Sequence, residues 1–435
     1  MCWNIIELKR MLINMENLES KILFHSYKIG VNESKSSLKD ISLADGLAGI
    51  SIFLSNFYKS VDEKTVKTKI RETNLKVITK VVKEINSQGT VLSLFGGLTG
   101  IGAACMEAAE YDNKYYSLLI KVTRTIVEKV NIVFTKSDIY TNLTFQIYDL
   151  FNGAVGISLF LVRAYKKGVD VPDIEKAIHH LTTFLVRISV IDTKCFSKSL
   201  LFLPAEELPK SGYAHQLLPK GALLIGEAHG LAGILGCLGT IYKIFPSSHL
   251  KEHIQNILKF LQEIRDDRVL YPEYVLVSKN DTPEIATHKL NGGWCFGSLG
   301  TTYSILLSSE SISDDKFVDQ AKKDLFFLLS NWKSDIRSDS LIMCHGLASQ
   351  IYIANVLNKT YDDLHFEKII TKMIDFVVHA ANWKEKYLFS DVAMSLKGKK
   401  RYERGILEGE LGVSLVLNSI VSNVKWNTDW MFLFG

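Results

Sequence analysis

The chain predicts an all-α fold of two concentric helical layers, and three observations carry the prediction. A Gly-x-x-Gly pair recurs in seven copies along the 435 residues. Amphipathic stripes at helical spacing fill the intervals between copies. No segment shows the sustained polar–apolar alternation of a half-buried strand.

The glycine pairs fall at Gly46/Gly49, Gly97/Gly100, Gly153/Gly156, Gly230/Gly233, Gly297/Gly300 and Gly409/Gly412, with a degenerate copy at Gly346/Ser349. A motif returning about every 50 to 75 residues marks a repeat architecture. Each copy leads into a mostly apolar run, such as Ile157-Ser-Leu-Phe-Leu-Val or Ile234-Leu-Gly-Cys-Leu. A helix that is apolar nearly all round must be covered on every side, so these runs predict inner helices. Glycine at their start allows a tight turn and close approach of neighbouring backbones.

The intervening stripes predict outer helices. They are Val66/Ile70/Ile78/Val81/Val82/Ile85, Leu118/Leu119/Val122/Ile126/Val130, Ile174/Ile178/Leu181/Leu185, Ile254/Ile257/Leu258/Leu261 and Phe366/Ile369/Ile370/Met373/Val377. Each unit then reads as a hairpin, an amphipathic outer helix followed by a glycine-led inner one. Periodicity leaves a closed ring and an open solenoid equally allowed.

Two stretches break the rhythm. Residues 195–221 hold Pro204, Pro209 and Pro219 and lie in the longest gap between glycine motifs, which predicts a loop-rich surface insertion, either passive or in contact with substrate. Pro272 and Pro283 mark a second long connection. Gly221 to Phe245 is apolar enough to raise a membrane span, but Glu227, His229 and its glycines favour a buried core helix.

A net charge of +4 without a long Lys/Arg block gives no footprint for nucleic acid. The six cysteines are scattered, and the N-terminus carries charges inside its apolar run and no small-residue cleavage site. Both features predict a cytoplasmic chain without a disulfide framework, in which Met11 or Met15 would serve as well as Met1 for a start.

Candidate chemistry emerges from the repeat register. Two residues before the first glycine of each motif stand Ala44, Phe95, Phe151, Ala228, Cys295, Cys344 and Leu407. One residue before it stand Asp45, Gly96, Asn152, His229, Phe296, His345 and Glu408. Metal-competent side chains therefore gather on consecutive units, at the ends of inner helices where a ring has its mouth. Cys295, Cys344 and His345 would form a three-ligand zinc site with an open fourth position, the pattern of a catalytic zinc. The bland alternative is a pair of buried cysteines packing as small hydrophobes. His229, one unit earlier, is placed to move a proton near that metal, or else is a core histidine with one partner. Asp149 reads from the residues alone as an acceptor at a helix start. Histidines elsewhere, such as His25, His215, His253 and His288, show no such register.

Gly-Glu-Ala-His-Gly-Leu-Ala-Gly at 226–233, Gly-Trp-Cys-Phe-Gly at 293–297 and Cys-His-Gly at 344–346 closely resemble the lanthionine synthetase C family, the lantibiotic cyclases, over essentially the whole chain. The resemblance implies one cyclase domain across residues 1–435, a double-layered α/α toroid of seven inner and seven outer helices. It implies one Zn²⁺ on Cys295, Cys344 and His345, with His229 as acid/base and Asp149 as an active-site aspartate. The implied reaction adds a peptide cysteine thiolate to dehydroalanine or dehydrobutyrine in a precursor peptide with a leader, closing a thioether ring. As the chain shows no dehydratase-like extension, it resembles the stand-alone cyclases. These work beside a separate dehydratase and an exporter at the inner membrane face.

Two positions depart from the family's pattern. Asn291 stands where an arginine is common, and Phe296 where a tyrosine is common. Neither touches the implied ligands; both bear on protonation and substrate positioning, with Lys289 or His288 as substitutes for the missing charge. They support an alternative, a catalytically weak peptide-binding or scaffold protein of the same fold. Another helical-ring enzyme, a glycoside hydrolase or terpene cyclase, would need paired catalytic carboxylates or an Asp-rich metal motif, and the inner-helix register holds no convincing set.

Overall fold

Every glycine motif starts a helix, and every stripe between motifs forms one. The computed structural model describes residues 18–88, 91–141, 143–208, 221–285, 289–335, 339–392, 399–423 and 426–434. In chain order the first helices are α1 (Leu18–Glu33), α2 (Leu47–Ser60), α3 (Lys64–Gln88), α4 (Leu98–Ala109), α5 (Tyr116–Val133), α6 (Ala154–Lys166) and α7 (Ile174–Ile188). They are followed by α8 (Leu231–Tyr242), α9 (Ser248–Glu263), α10 (Ser298–Ile312), α11 (Asp315–Ser330), α12 (Leu347–Thr360), α13 (Glu367–His379) and α14 (Glu410–Val421). Even-numbered helices form the inner layer and odd-numbered ones the outer.

The inner helices are covered on all sides: every residue of α2 from Leu47 to Phe57, and of α8 from Leu231 to Gly239, is buried. The outer helices bury one face. In α7 that face is Ile174, Ile178, Leu181 and Leu185, as the stripe predicts. In α3, Val66, Ile70, Ile78 and Val81 are buried, whereas Val82 is 37% exposed and lies off the core face.

The second glycine of the motif is required by sterics. A β-carbon at Gly100 would strike the Leu94 carbonyl, because the turn leading into α4 folds back over the helix's first turn. In the degenerate sixth copy the place is taken by buried Ser349, whose hydroxyl donates to the Gly346 carbonyl at 2.9 Å.

Ring closure, which periodicity left open, is decided by a circuit of backbone hydrogen bonds through the register positions. Ala44 N–H donates to Phe95 O (3.1 Å), Phe95 to Phe151 (3.0 Å), Leu150 to Ala228 (3.0 Å) and Ala228 to Cys295 (2.9 Å). Cys295 donates to Cys344 (3.1 Å), Cys344 to Leu407 (2.9 Å), and Ile406 returns to Ala44 (2.7 Å). The units are thus stitched into a closed toroid of seven inner and seven outer helices.

The pairing within units runs opposite to the expected phase. Of the two outer helices that flank it, each inner helix packs more closely on the one that follows, α2 on α3 and α10 on α11, while α8 and α10 pack most closely on each other. The last inner helix, α14, is followed by no outer helix among the described residues and packs on α1. Buried Glu410 of α14 accepts from Ser26 Oγ at 2.5 Å and Leu388 N–H at 2.8 Å and meets His25 Nδ1 at 2.8 Å.

The bore below the mouth is filled by residues 426–434. Trp426, Met431, Phe432 and Phe434 are buried there; Trp294 Nε1 donates to the Phe432 carbonyl at 3.1 Å, and Tyr303 Oη to Phe434 O at 2.8 Å.

The two irregular connections are one structure. Strands β1 (Phe202–Leu203), β2 (Ala222–Leu224), β3 (Tyr274–Val277) and β4 (Pro283–Glu284) pair antiparallel in that order. The expected insertion and the second connection therefore join in a small sheet; residues 209–220 of the insertion lie outside those described. Gly221 to Phe245 is not one long helix but β2, a turn and α8, and among the described residues no helix is long and apolar enough to cross a membrane. A last hairpin, β5 (Ser390–Asp391) with β6 (Arg401–Tyr402), precedes α14. The N-terminal ten residues with Met11 and Met15, together with Cys2, His215 and His288, lie outside the described residues.

A candidate metal centre and an adjoining histidine–aspartate pair

The backbone circuit sets Cys295 and Cys344 side by side, each on the turn that leads into its inner helix. Their sulfurs and a ring nitrogen of His345 lie within 4.8 Å of one another. The cysteines are 6% exposed and the imidazole 12%, so the cluster is recessed but reachable. Its donor chemistry fits zinc: two soft sulfurs and one imidazole, spaced for a single ion, with one tetrahedral position left over.

Electrostatics favour a cation at this point. The Cys344 thiol is held well above its ordinary value by its hydrogen bond to Cys295, then by burial, with Cys295, Glu408 and Asp391 adding negative charge. Burial would lower the His345 imidazole, but Asp391 and Cys295 outweigh it and push it up to about 9. At the neighbouring rim, Asp45 is pushed up to about 6 by burial and by the carboxylates of Glu408, Asp40 and Glu403.

His345 Nε2 meets Asp391 Oδ1 at 2.9 Å. Asp391 is fully buried and takes Ser340 Oγ at 3.1 Å and Arg401 Nη2 at 3.3 Å. Arg401 also pairs with Glu408. Sequence reasoning missed Asp391, Ser340 and Arg401. Asp391 comes from the β5–β6 hairpin between units, outside the repeat register. Its one signal was a lone acid in the apolar run Leu388-Phe-Ser-Asp-Val.

One step along the circuit stands His229. Its Nδ1 meets Asp149 Oδ2 at 2.7 Å. Asp149 is buried, and its Oδ1 accepts from the Asn152 and Gly153 N–H groups at 2.6 and 3.1 Å. One oxygen of Asp149 thus braces the turn that leads into α6, and the other meets the histidine ring. The imidazole is walled by Phe145, Phe151 and Phe296, with ring centroids 5.3, 4.8 and 5.2 Å away. Phe145 also packs on the core of the small sheet, the cluster of Leu203, Leu208, Ala222 and Leu224. Gly226 allows the His229 turn to lie against the Cys295 turn, since a β-carbon there would sit 2.6 Å from Cys295 O.

The recessed Cys–Cys–His cluster, the paired histidine and the closed ring place the chain beside known proteins. Residues 37–433 match the family described as "Lanthionine synthetase C-like protein". This chain belongs to the lanthionine synthetase C-like family. A curated relative is "Nisin biosynthesis protein NisC" of Lactococcus lactis subsp. lactis, 25% identical over 439 residues, spanning 97% of this chain and 96% of that protein. Among solved structures, "Nisin cyclase" superposes with a TM-score of 0.77 at 21% identity, covering 94% of this chain and 96% of that one.

Within this member of the lanthionine synthetase C-like family, the two departures are built into the site. Asn291 is 3% exposed; its Nδ2 donates to Glu273 Oε1 at 2.6 Å and its Oδ1 accepts from Gly293 N–H at 2.9 Å. It braces the turn that carries Cys295. Phe296 covers one side of the His229 ring. Lys289 is exposed, and His288 is outside the described residues. Three of the other described histidines have partners away from the cluster: His25 with Glu410, His180 with Asn131 and His253 with Ser189.

Proposed function

We propose that this chain is a zinc-dependent cyclase of dehydrated precursor peptides, joining cysteine thiolates to dehydroalanine or dehydrobutyrine to give lanthionine and methyllanthionine rings. The observation that carries the reading is the Cys295–Cys344–His345 cluster lying one hydrogen-bonded step from His229, whose ring meets the buried Asp149. Zinc on these ligands would supply a Lewis acid able to lower the pKa of a substrate thiol toward neutrality.

The chain's own residues do the rest. Cys295, Cys344 and His345 hold the ion in the wall of the mouth. The substrate sulfur attacks the β-carbon of the dehydro residue; the C–S bond forms as the double-bond pair moves onto the enolate. Asp149 fixes His229 by its Nδ1, leaving Nε2 to deliver a proton to the α-carbon. The walls of Phe145, Phe151 and Phe296 keep water from the imidazole. A scaffold without turnover would not require a buried carboxylate to orient a histidine at the mouth, so the intact pair favours the enzyme. A separate dehydratase and an exporter at the inner membrane face are the partners this reading calls for.

The test begins with zinc content by elemental mass spectrometry in the wild type and in Cys295→Ala and His345→Ala. One zinc per chain, lost in both variants, is expected. Dehydrated precursor is then incubated with each protein, and its free cysteines are counted by alkylation and mass spectrometry. Ring closure by a metal-free Cys295→Ala/Cys344→Ala protein would overturn the mechanism.

A further inference from the structure

Asp391 lies in a strand between units, yet its carboxylate is fully buried and one of its oxygens meets a residue of the candidate metal centre. A buried charge persists only where partners compensate its lost hydration. Here Oδ1 faces His345 Nε2 at 2.9 Å and accepts from Ser340 Oγ at 3.1 Å, while Oδ2 takes Arg401 Nη2 at 3.3 Å. The β5–β6 hairpin delivers the acid and the base together, since Asp391 and Arg401 are its cross-strand pair. The hairpin is docked on the segment that carries the ligands: Leu341 N–H donates to Ser390 O at 3.1 Å, three residues before Cys344.

We propose that Asp391 is the positioning residue of the metal centre, fixing His345 as the tautomer that donates from Nε2 and coordinates through Nδ1, with Arg401 holding the carboxylate in place. The inference rests on the reading of Cys295, Cys344 and His345 as zinc ligands. Its physical content is that a ring nitrogen bonded to a carboxylate is fixed in orientation and makes its partner nitrogen a stronger donor to the ion. Ser340 keeps the carboxylate from swinging away, and Arg401 neutralises it from the rim side.

The experiment compares the full-length wild type with Asp391→Asn and Arg401→Met, using Zn²⁺ in competition with a chromophoric chelator. Asp391→Asn keeps the shape and loses the charge. It is expected to bind one zinc about 10- to 100-fold more weakly than the wild type. Arg401→Met is expected to lose severalfold, in the same direction. Nitrogen-15 spectra of the zinc-loaded proteins give an independent readout. The wild type should show His345 protonated at Nε2 with slow proton exchange, and Asp391→Asn should exchange faster. A purely structural role would lower the melting temperature and leave zinc affinity and the tautomer of the folded protein unchanged. Wild-type affinity and exchange in Asp391→Asn would overturn the inference while leaving the zinc site standing. Absence of zinc binding by the wild type itself would overturn both. Should Asp391→Asn fail to fold, Arg401→Met carries the test, and unchanged affinity there is the overturning result.

Discussion

The two halves of the mouth are built on opposite principles. The Cys295–Cys344–His345 side is set among buried negative groups, with Asp391 behind the imidazole and Glu408 at the rim. The His229 side is walled by three phenylalanines and has one carboxylate, Asp149, at its back. On the proposed reading, one side holds a cation; the other holds an imidazole in one orientation and moves one proton. A Michael-type addition needs both, a stabilised thiolate and a dry proton source. The circuit of backbone bonds keeps them in adjacent units.

The largest effect should come from breaking the cationic side. Cys295→Ala/Cys344→Ala is expected to lose zinc and ring closure completely, read by elemental analysis and by free-cysteine counting on the precursor. Breaking the other side should leave the metal in place. His229→Ala is expected to retain one zinc per chain while cyclisation falls about 10²- to 10⁴-fold. Asp149→Asn should lose less, because the amide oxygen can still accept from the Asn152 and Gly153 N–H groups. If His229→Ala also lost its zinc, the two sides would not be separable and the comparison would fail.

A third prediction concerns Glu227, two residues before His229. It is buried, with Ser304 Oγ 2.9 and 2.7 Å from its two carboxyl oxygens. Burial pushes its carboxyl up to about 8, against 4.5 for an ordinary glutamate, and the Ser304 bond only partly offsets it. Between those values the folded chain keeps a proton that the unfolded chain has released. Stability is therefore fully present below pH 4.5 and falls as pH rises toward 8, by about 1.4 kcal/mol for each pH unit from this group alone. Thermal melts across pH 5 to 8 should show that slope in the wild type and a flatter one in Glu227→Gln. Equal slopes would remove Glu227 from the account. The smallest effect is expected from Trp294→Phe, which leaves the buried Phe432 carbonyl without its donor. A stability loss of about 1–3 kcal/mol in denaturant melts, with zinc retained, would fit.

Much of this molecule could be read from one register. The seven glycine motifs marked the inner helices, and the residues just before them marked the mouth, because a repeat carries equivalent positions to equivalent heights. Three things lay outside that logic. Closure depended on α1 covering α14, a contact between the ends of the chain that no local pattern encodes. The small sheet was invisible because its strands are two to four residues long, too short to show alternation. Asp391 lies 46 residues from His345 in a connection between units, and Phe432 reaches Trp294 across 138 residues. Side chains delivered by connections and ends have no register to betray them.

The backbone circuit has a consequence for how the protein is made. Its last bond joins Ile406 to Ala44, and the seam beside it is sealed by the Asn418–Asn56 pair, 362 residues apart in sequence. An open solenoid can fold unit by unit as it leaves the ribosome. This ring cannot, because the flank of α2 that packs on α14 must wait for α14 to be translated. At synthesis rates of about 5–20 residues per second the wait is roughly 20 to 70 seconds. During that interval the first unit presents a bare apolar flank. Such a nascent chain is a natural client for a chaperone, and premature termination anywhere before the seventh unit would leave an unsealed, aggregation-prone arc rather than a smaller working enzyme.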